Sequence, residues 1–291
     1  MVAEVARESA PRATARVTVP ARSLRGDLRA VKVVWQRELI RFARDRMRIV
    51  VALLQPLLFL FVLGTGLSSM IPSGPGTVGL RTFLFPGVLS MAVMFTALFS
   101  AASVVWDREF GFLREMLVAP VRRGAIVLGK CLGGASVATL QGVLMLAFAG
   151  AVGVPYSPSL LLTLIAEMAI LAFALTALGV MVAARIRSIQ SFMALNQMIV
   201  MPMFFLSGAL FSLANLPHWL NVLTRVNPLT YAVDPMRRAV FAHLDGVTGS
   251  ALQPGVTWWG WPVPIALELL VVVVLGLAMF AIATVRFQKA D

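Results

Sequence analysis

One stretch is spelled like a nucleotide-binding loop: GAIVLGKC, Gly124 to Cys131, which reads G-x-x-x-x-G-K with cysteine where serine or threonine belongs. A phosphate cradle needs a strand before it, a soluble helix after it, and consecutive backbone N–H groups free to face an anion. This segment runs instead into AIVLGKCLGGASVATLQGVLMLAFAG, an apolar helix whose amides are tied up. Cys131 also cannot replace the hydroxyl that ligates magnesium. Gly129, Gly133 and Gly134 are read as points of close helix packing, and Lys130 as a cation that snorkels to headgroups. A single cysteine precludes an internal disulfide, and His218 and His243 are too few for a metal site.

The elements around these residues explain the choice. Of 291 residues, 59% are hydrophobic and 13% charged, against about a quarter charged in soluble domains. With a mean hydropathy of +0.87, the chain takes lipid as its main solvent. The net charge of +12 does not indicate nucleic acid, because 12 of the 25 basic residues precede position 49. Residues 1–26 are rich in Ala, Arg, Ser and Pro, without the apolar core of a signal peptide, and read as a disordered cytoplasmic tail.

Over 27–48, Leu28, Val31, Trp35, Leu39 and Phe42 recur at helical spacing with arginines elsewhere. This is an amphipathic helix suited to a headgroup layer, and a protein-docking face would look the same. Six apolar runs follow, at 49–69, 83–105, 125–152, 159–183, 191–212 and 262–285, each long enough for the ~20 residues of a membrane span. Pro56, Pro86 and Pro202 mark expected kinks. With the amino terminus inside, the inner segments hold 21 Lys and Arg and the outer ones four, so both termini are expected in the cytoplasm, with 286–291 a short tail.

Three places hold what chemistry remains. In the inner loop, 106–124, Phe112, Leu113, Met116 and Leu117 group opposite Asp107, Arg108, Glu109, Arg114 and Glu115 until Pro120 stops the pattern. This gives an amphipathic helix near 107–119 that is either a docking element or a solvated connector. In the outer region, 213–261, Leu216, Trp219, Leu220, Leu223 and Val226 repeat before a break at Asn227 and Pro228. Two short helices dipping back from the surface are expected there, with Asp234 pairing Arg237 or Arg238; a folded outer loop is the alternative. Inside the spans, Glu167 must face protein or water, since an unpaired carboxylate costs roughly 2.5–3.5 kcal/mol at the helix centre. Glu268 is expected to reach the interface. Asn196, Gln197, Met201, Phe204 and Phe205 in the fifth run would suit an amphipathic cargo, or serve packing and lipid contact.

Asp107, Glu109, Gly111, Leu113, Glu115, Leu117, Pro120, Arg122, Gly129 and Lys130 stand in an order that resembles the inner loop of type-2 (ABC-2) exporter permeases. Asn227, Pro228, Leu229, Tyr231, Asp234 and Arg237 resemble that family's segment after the fifth span, and the likeness, closest to the drug-resistance and nodulation-factor branch, extends from about 30 to 287. It implies an all-α membrane protein with six transmembrane helices in 49–285, an amino-terminal interface helix, a cytoplasmic coupling helix and a re-entrant outer helical hairpin before the last span. It also implies a bacterial plasma-membrane protein that works as a dimer, with a second copy or a paralogue, above two ATP-binding subunits. ATP and magnesium would be bound by those subunits and no cofactor by this chain. Coupling would fall to Glu109, Gly111, Phe112, Leu113, Arg114, Glu115 and Met116; Asn227, Pro228, Tyr231, Asp234 and Arg237 would shape the exit cap. Glu167, Asn196, Gln197, Met201, Phe204 and Phe205 would line the substrate path. The tail before residue 27 is not explained by the resemblance. An ion-driven carrier would need inverted repeats and paired broken helices, and a membrane enzyme a catalytic cluster at one depth; neither pattern is seen.

Overall fold

Helix α1, Leu24–Arg44, starts where the Ser23 hydroxyl accepts the Gly26 amide, and it stops at Asp45. Asp45 then caps α2, Arg46–Leu58, by accepting the Arg48 amide at 3.0 Å. The break expected at 48 therefore comes three residues early, at a residue that serves both helices. The computed structural model describes residues 23–68, 78–111, 121–213, 216–244, 255–258 and 260–289; residues 1–22 of the expected tail lie outside them.

Pro56 removes a backbone donor from α2, and a π-helical turn at Phe59–Leu63 follows before α3, Gly64–Ser68, a recognised way of absorbing a helix distortion. Next come α4, Leu80–Ser100, and α5, Ala102–Glu109, nearly continuous, then α6, Arg123–Leu146, and α7, Pro158–Ala183, whose Ser157 cap accepts the Leu160 amide. Helix α8 is Ile189–Phe205, α9 is His218–Val226, α10 is Thr230–Phe241 and α11 is Ile265–Lys289. A two-residue antiparallel ribbon, β1 (Thr257–Trp258) with β2 (Trp261–Pro262), precedes α11.

Among the described residues, five helical stretches are long and apolar enough to cross a membrane: Arg46–Ser68, Leu80–Glu109, Arg123–Leu146, Pro158–Ala183 and Ile265–Gln288. The fifth expected run yields only the 17 residues of α8, about 26 Å at the helical rise against ~30 Å of hydrocarbon. Beyond Phe205 the chain turns through Gly208 at φ +74° and packs on Gly87 of α4, where even a methyl group would stand 2.7 Å from the Ala209 Cα. At the far end, α11 runs to Lys289, into the segment expected as tail.

α4 is the axis of the fold. In its most apolar stretch, 89% is enclosed by other helices, against 17% for the first and last spans, which leaves α2 and α11 displaying side chains such as Val51 and Leu277. Outward apolar residues cost nothing in lipid, so packing here rests on close contact between small residues. α1 crosses α6 over Gly129 and Gly133, where a Cβ would stand 2.8 Å from the Val34 Cβ and 2.7 Å from the Glu38 Cβ. The buried line of α1 is thus Val34, Glu38 and Phe42, not the stripe of Leu28, Val31, Trp35 and Leu39; Leu28 is exposed.

Gly133→Leu should force this crossing apart, at a cost of about 1–3 kcal/mol for an overpacked contact. It would be seen as a lower melting temperature of the purified chain, whereas an exchange at outward Leu277 should leave it unchanged.

Candidate functional site

The basal end of the bundle is organised by Lys130. Its ammonium, 4% exposed, donates to Glu38 Oε1 at 2.6 Å, Asp107 Oδ2 at 2.6 Å and the Ser103 hydroxyl at 3.0 Å. Arg37 donates to the other Asp107 oxygen at 2.6 Å, and Arg41 stands 4.0 Å from it. One lysine thereby ties α1, α5 and α6 together. It does not snorkel, because carboxylates from two neighbouring helices meet it within the bundle. Asp107 is 1% exposed; together with Arg108 and Glu109 it ends α5 rather than opening a separate loop helix.

Arg108 and Glu109 fasten the same base to the next hairpin. The Arg108 guanidinium donates to the Ala183, Ala184 and Ile186 carbonyls at 3.4, 3.0 and 2.8 Å, satisfying the open end of α7 and placing a cation against its negative pole. Glu109 accepts the Ile189 amide at 3.2 Å, at the opposite pole of α8. Gly111 follows at φ +81°, a conformation that glycine adopts freely, and ends the described part of α5 and its turn. Phe112, Leu113, Arg114, Glu115 and Met116 lie outside the described residues. On the exit side, the backbone N–H of Arg122 donates to Asp27 of α1 at 2.9 Å, and Arg123 donates to the Gln288 carbonyl of α11 at 2.7 Å.

The opposite end carries a second charged cluster. Arg238 bonds Asp234, and reaches Glu268 Oε1 and the Val263 carbonyl, each at 3.0 Å. Asp234 thus pairs with Arg238, and Glu268, 0% exposed, is an internal partner instead of an interfacial one. Arg237 turns the other way. It donates to the Gly208 and Ala209 carbonyls at 2.7 and 3.2 Å and lies 4.2 Å over the Phe83 ring. Burial lowers its pKa to about 10, with Asp234 opposing, so it stays charged at neutral pH.

Asn227 latches the outer helices onto α8. Its amide donates to the Met203 carbonyl at 2.6 Å while its own oxygen accepts the Leu229 amide at 3.0 Å, an Asx turn in which Pro228 makes the corner. Tyr231 donates to the Arg225 carbonyl at 2.8 Å and accepts from Trp258 Nε1 at 3.0 Å. Of the five outer residues, Asn227 bonds α8 and Arg237 the turn that follows it, whereas Tyr231 bonds α9 and the ribbon, and Asp234 pairs with Arg238.

The six path residues do not form one surface. Asn196 and Phe204 lie on the buried face of α8, whereas Gln197, Met201 and Phe205 are exposed on its other side. Glu167 is 3% exposed on α7. Among the described residues, no hydrogen bond joins it to Asn196 or Gln197, and Glu167 Oε2 and Asn196 Nδ2 are buried without a partner. Sequence reasoning missed Glu38 and the internal role of Lys130. The available signal was a single acid in the basic stretch 29–44, spaced four residues from both Val34 and Phe42.

Residues 29–241 match the family described as ABC-2 type transporter. The chain is 31% identical over 213 residues to Nodulation protein J of Rhizobium leguminosarum bv. trifolii, spanning 72% of this chain and 80% of that protein. It is 30% identical over 207 residues to Nodulation protein J of Rhizobium meliloti (strain 1021), spanning 70% and 78%. To the putative transport permease ycf38 of Cyanophora paradoxa it is 26% identical over 228 residues, spanning 76% and 77%.

Lys130→Met leaves Glu38 and Asp107 facing each other without their shared cation and should destabilise the fold by about 3–5 kcal/mol, as expected for one partner removed from a buried pair. Adding Glu38→Gln should recover most of that, because Asp107 retains Arg37. Unfolding of the single and double variants in detergent measures both.

Proposed function

The chain belongs to the ABC-2 type transporter family and is a multi-pass transmembrane transport permease, and from that premise we propose that it is the membrane subunit of an ATP-driven exporter. Two copies, or one copy and a paralogue, span a bacterial plasma membrane with six helices each, α8 serving as the short fifth span. Both termini are cytoplasmic, and two separate ATP-binding subunits dock beneath. Those subunits hold ATP and magnesium and perform the hydrolysis; this chain is not the enzyme. The cargo is a hydrophobic or amphipathic molecule, such as a drug-like compound, a lipid or a lipid-linked glycan, moved outward.

The observation that carries this reading is the anchorage of the residues on either side of 112–120. Before it, Asp107 to Glu109 are bonded to α1, α6, the end of α7 and the start of α8; after it, Arg122 and Arg123 are bonded to α1 and α11. A displacement delivered at these two flanks is passed through those bonds to each of the elements. Nucleotide closure below can then bias the bundle between two arrangements, as a docked element does when it moves with a rigid partner. Glu109, Gly111, Phe112, Leu113, Arg114, Glu115 and Met116 form the coupling element, and α1 is the interface helix beside it. At the other end α9 and α10, latched to α8 by Asn227 and Arg237, form the re-entrant cap over the exit.

Leu113→Asp should abolish co-purification of the ATP-binding subunit while the permease still inserts and keeps its melting temperature. Retention of the subunit by this variant would remove the coupling assignment.

A further inference from the structure

Where α1 turns into α2, a cavity of about 340 Å³ opens between those two helices and α4, α5 and α8, within the ~300–1,000 Å³ typical of small-molecule sites. Its floor is apolar: Phe95 and Phe99 stack with centroids 6.2 Å apart and planes 7° from parallel, with Pro56 beside them. Its rim is charged, with Arg41, Arg48 and Asp45, and Asp45 already accepts the Arg48 amide as the α2 cap. Two donors have no partner among the described residues: Arg41 Nη1, and the hydroxyl of Thr96, a residue only 5% exposed on the cavity wall.

These features select an occupant by exclusion. A cation is opposed by two guanidinium groups against one carboxylate. A purely apolar molecule would cover Phe95 and Phe99 but leave Arg41 Nη1 buried and unpaired, at a desolvation cost. A small inorganic anion would pair that donor but leave the phenyl floor bare. An amphiphile with an oxyanion head satisfies both ends, and a guanidinium is well matched to phosphate and carboxylate. Outside the mouth, Arg37, Arg41 and Arg44 border a shallower hollow, so the approach carries the same sign.

We propose that this cavity is where the cargo is taken up, and that the cargo is an anionic amphiphile whose phosphate or carboxylate head sits on Arg41 and Arg48 and whose apolar body lies along Phe95 and Phe99. Naming the occupant as cargo rests on the exporter reading above; the chemistry of the cavity does not.

Dodecyl phosphate titrated calorimetrically into the full chain in phosphatidylcholine nanodiscs, corrected for partitioning into empty discs, should bind saturably. Arg48→Gln should weaken binding about tenfold, the scale of one charged hydrogen bond. Thr96→Leu, which fills the floor without touching the basal charges, should weaken it as well. Dodecyltrimethylammonium and inorganic phosphate at the same concentrations should not bind saturably. Unchanged affinity in both variants, equal binding of the cation, or inorganic phosphate binding as tightly as dodecyl phosphate would each overturn the site. In the assembled complex, dodecyl phosphate should stimulate ATP hydrolysis, and Arg48→Gln should lose that stimulation. Binding without stimulation in a hydrolysing complex identifies a resident lipid and overturns the cargo assignment. A complex that never hydrolyses ATP sinks the exporter reading instead and takes the cargo assignment with it, while the calorimetry still decides whether the cavity binds an anionic amphiphile.

Discussion

Lys130 sits between Glu38 and Asp107, 2.6 Å from each, at the meeting point of α1, α5 and α6. A desolvated ammonium costs several kcal/mol unless its partners are close and well aimed, so the positions of all three helices are linked through this one cation. Toward the apolar core the two carboxylates are matched by Lys130 and Arg37, and Arg41, 4.0 Å from Asp107, adds a third, partly exposed cation at the edge. An arrangement of this kind contributes little net stability compared with hydrocarbon of the same shape, but it tolerates very few alternative packings. Sliding α1 by one turn along α6 would strand a buried carboxylate.

The far end repeats the balance with different residues. Asp234 and Glu268 face Arg238, while Arg237 neutralises the carbonyl end that follows α8. Between the two clusters lies a core of leucine, valine, methionine and phenylalanine around α4, which resists compression and has little directional preference of its own. Motion compatible with both clusters is therefore a tilt or shear of helices between pinned ends. Helix α8 runs between the two ends: its first amide is held by Glu109, its Met203 carbonyl by Asn227, and the turn that follows it by Arg237.

How much of this the sequence discloses depends on the range of the force involved. Hydropathy and helical spacing act within one segment, and they correctly place the apolar helices α2, α4, α6, α7 and α11, a helix at α1 though not its buried face, and the Asn227-Pro228 break between α9 and α10. Charge pairing acts between segments, and there single-residue expectations mislead. Lys130 and Glu268 both look like groups that escape to an interface, because escape is the cheapest fate for an ion considered alone; both stay inside because an opposite charge arrives from another helix. The length of α8 fails for a related reason. Leu206 to Phe211 are apolar enough to continue a span, yet Gly208 turns and the Arg237 guanidinium takes the carbonyls that a further helical turn would have used. Residues 107–109 read as the polar side of a separate helix in the inner loop because three charged side chains in a row look solvated, while in the fold they end α5 and each has a partner on another element.

The near-match to a phosphate loop has its own physical account. Gly129 and Gly133 are four residues apart on the face of α6 that α1 crosses, and without side chains they let the backbone of α1 come near enough for Val34 and Glu38 to settle over them. Lys130 follows Gly129 directly and finds Glu38 within hydrogen-bonding reach because of that approach. Glycine and lysine are thus adjacent here for one purpose: the glycine sets the distance between two helices and the lysine closes it with charge. A phosphate loop uses the same two residues to bring backbone close to an anion and neutralise it. In this chain the anion is a carboxylate supplied by the protein itself, so a resemblance in spelling reflects a shared electrostatic problem without a shared ligand.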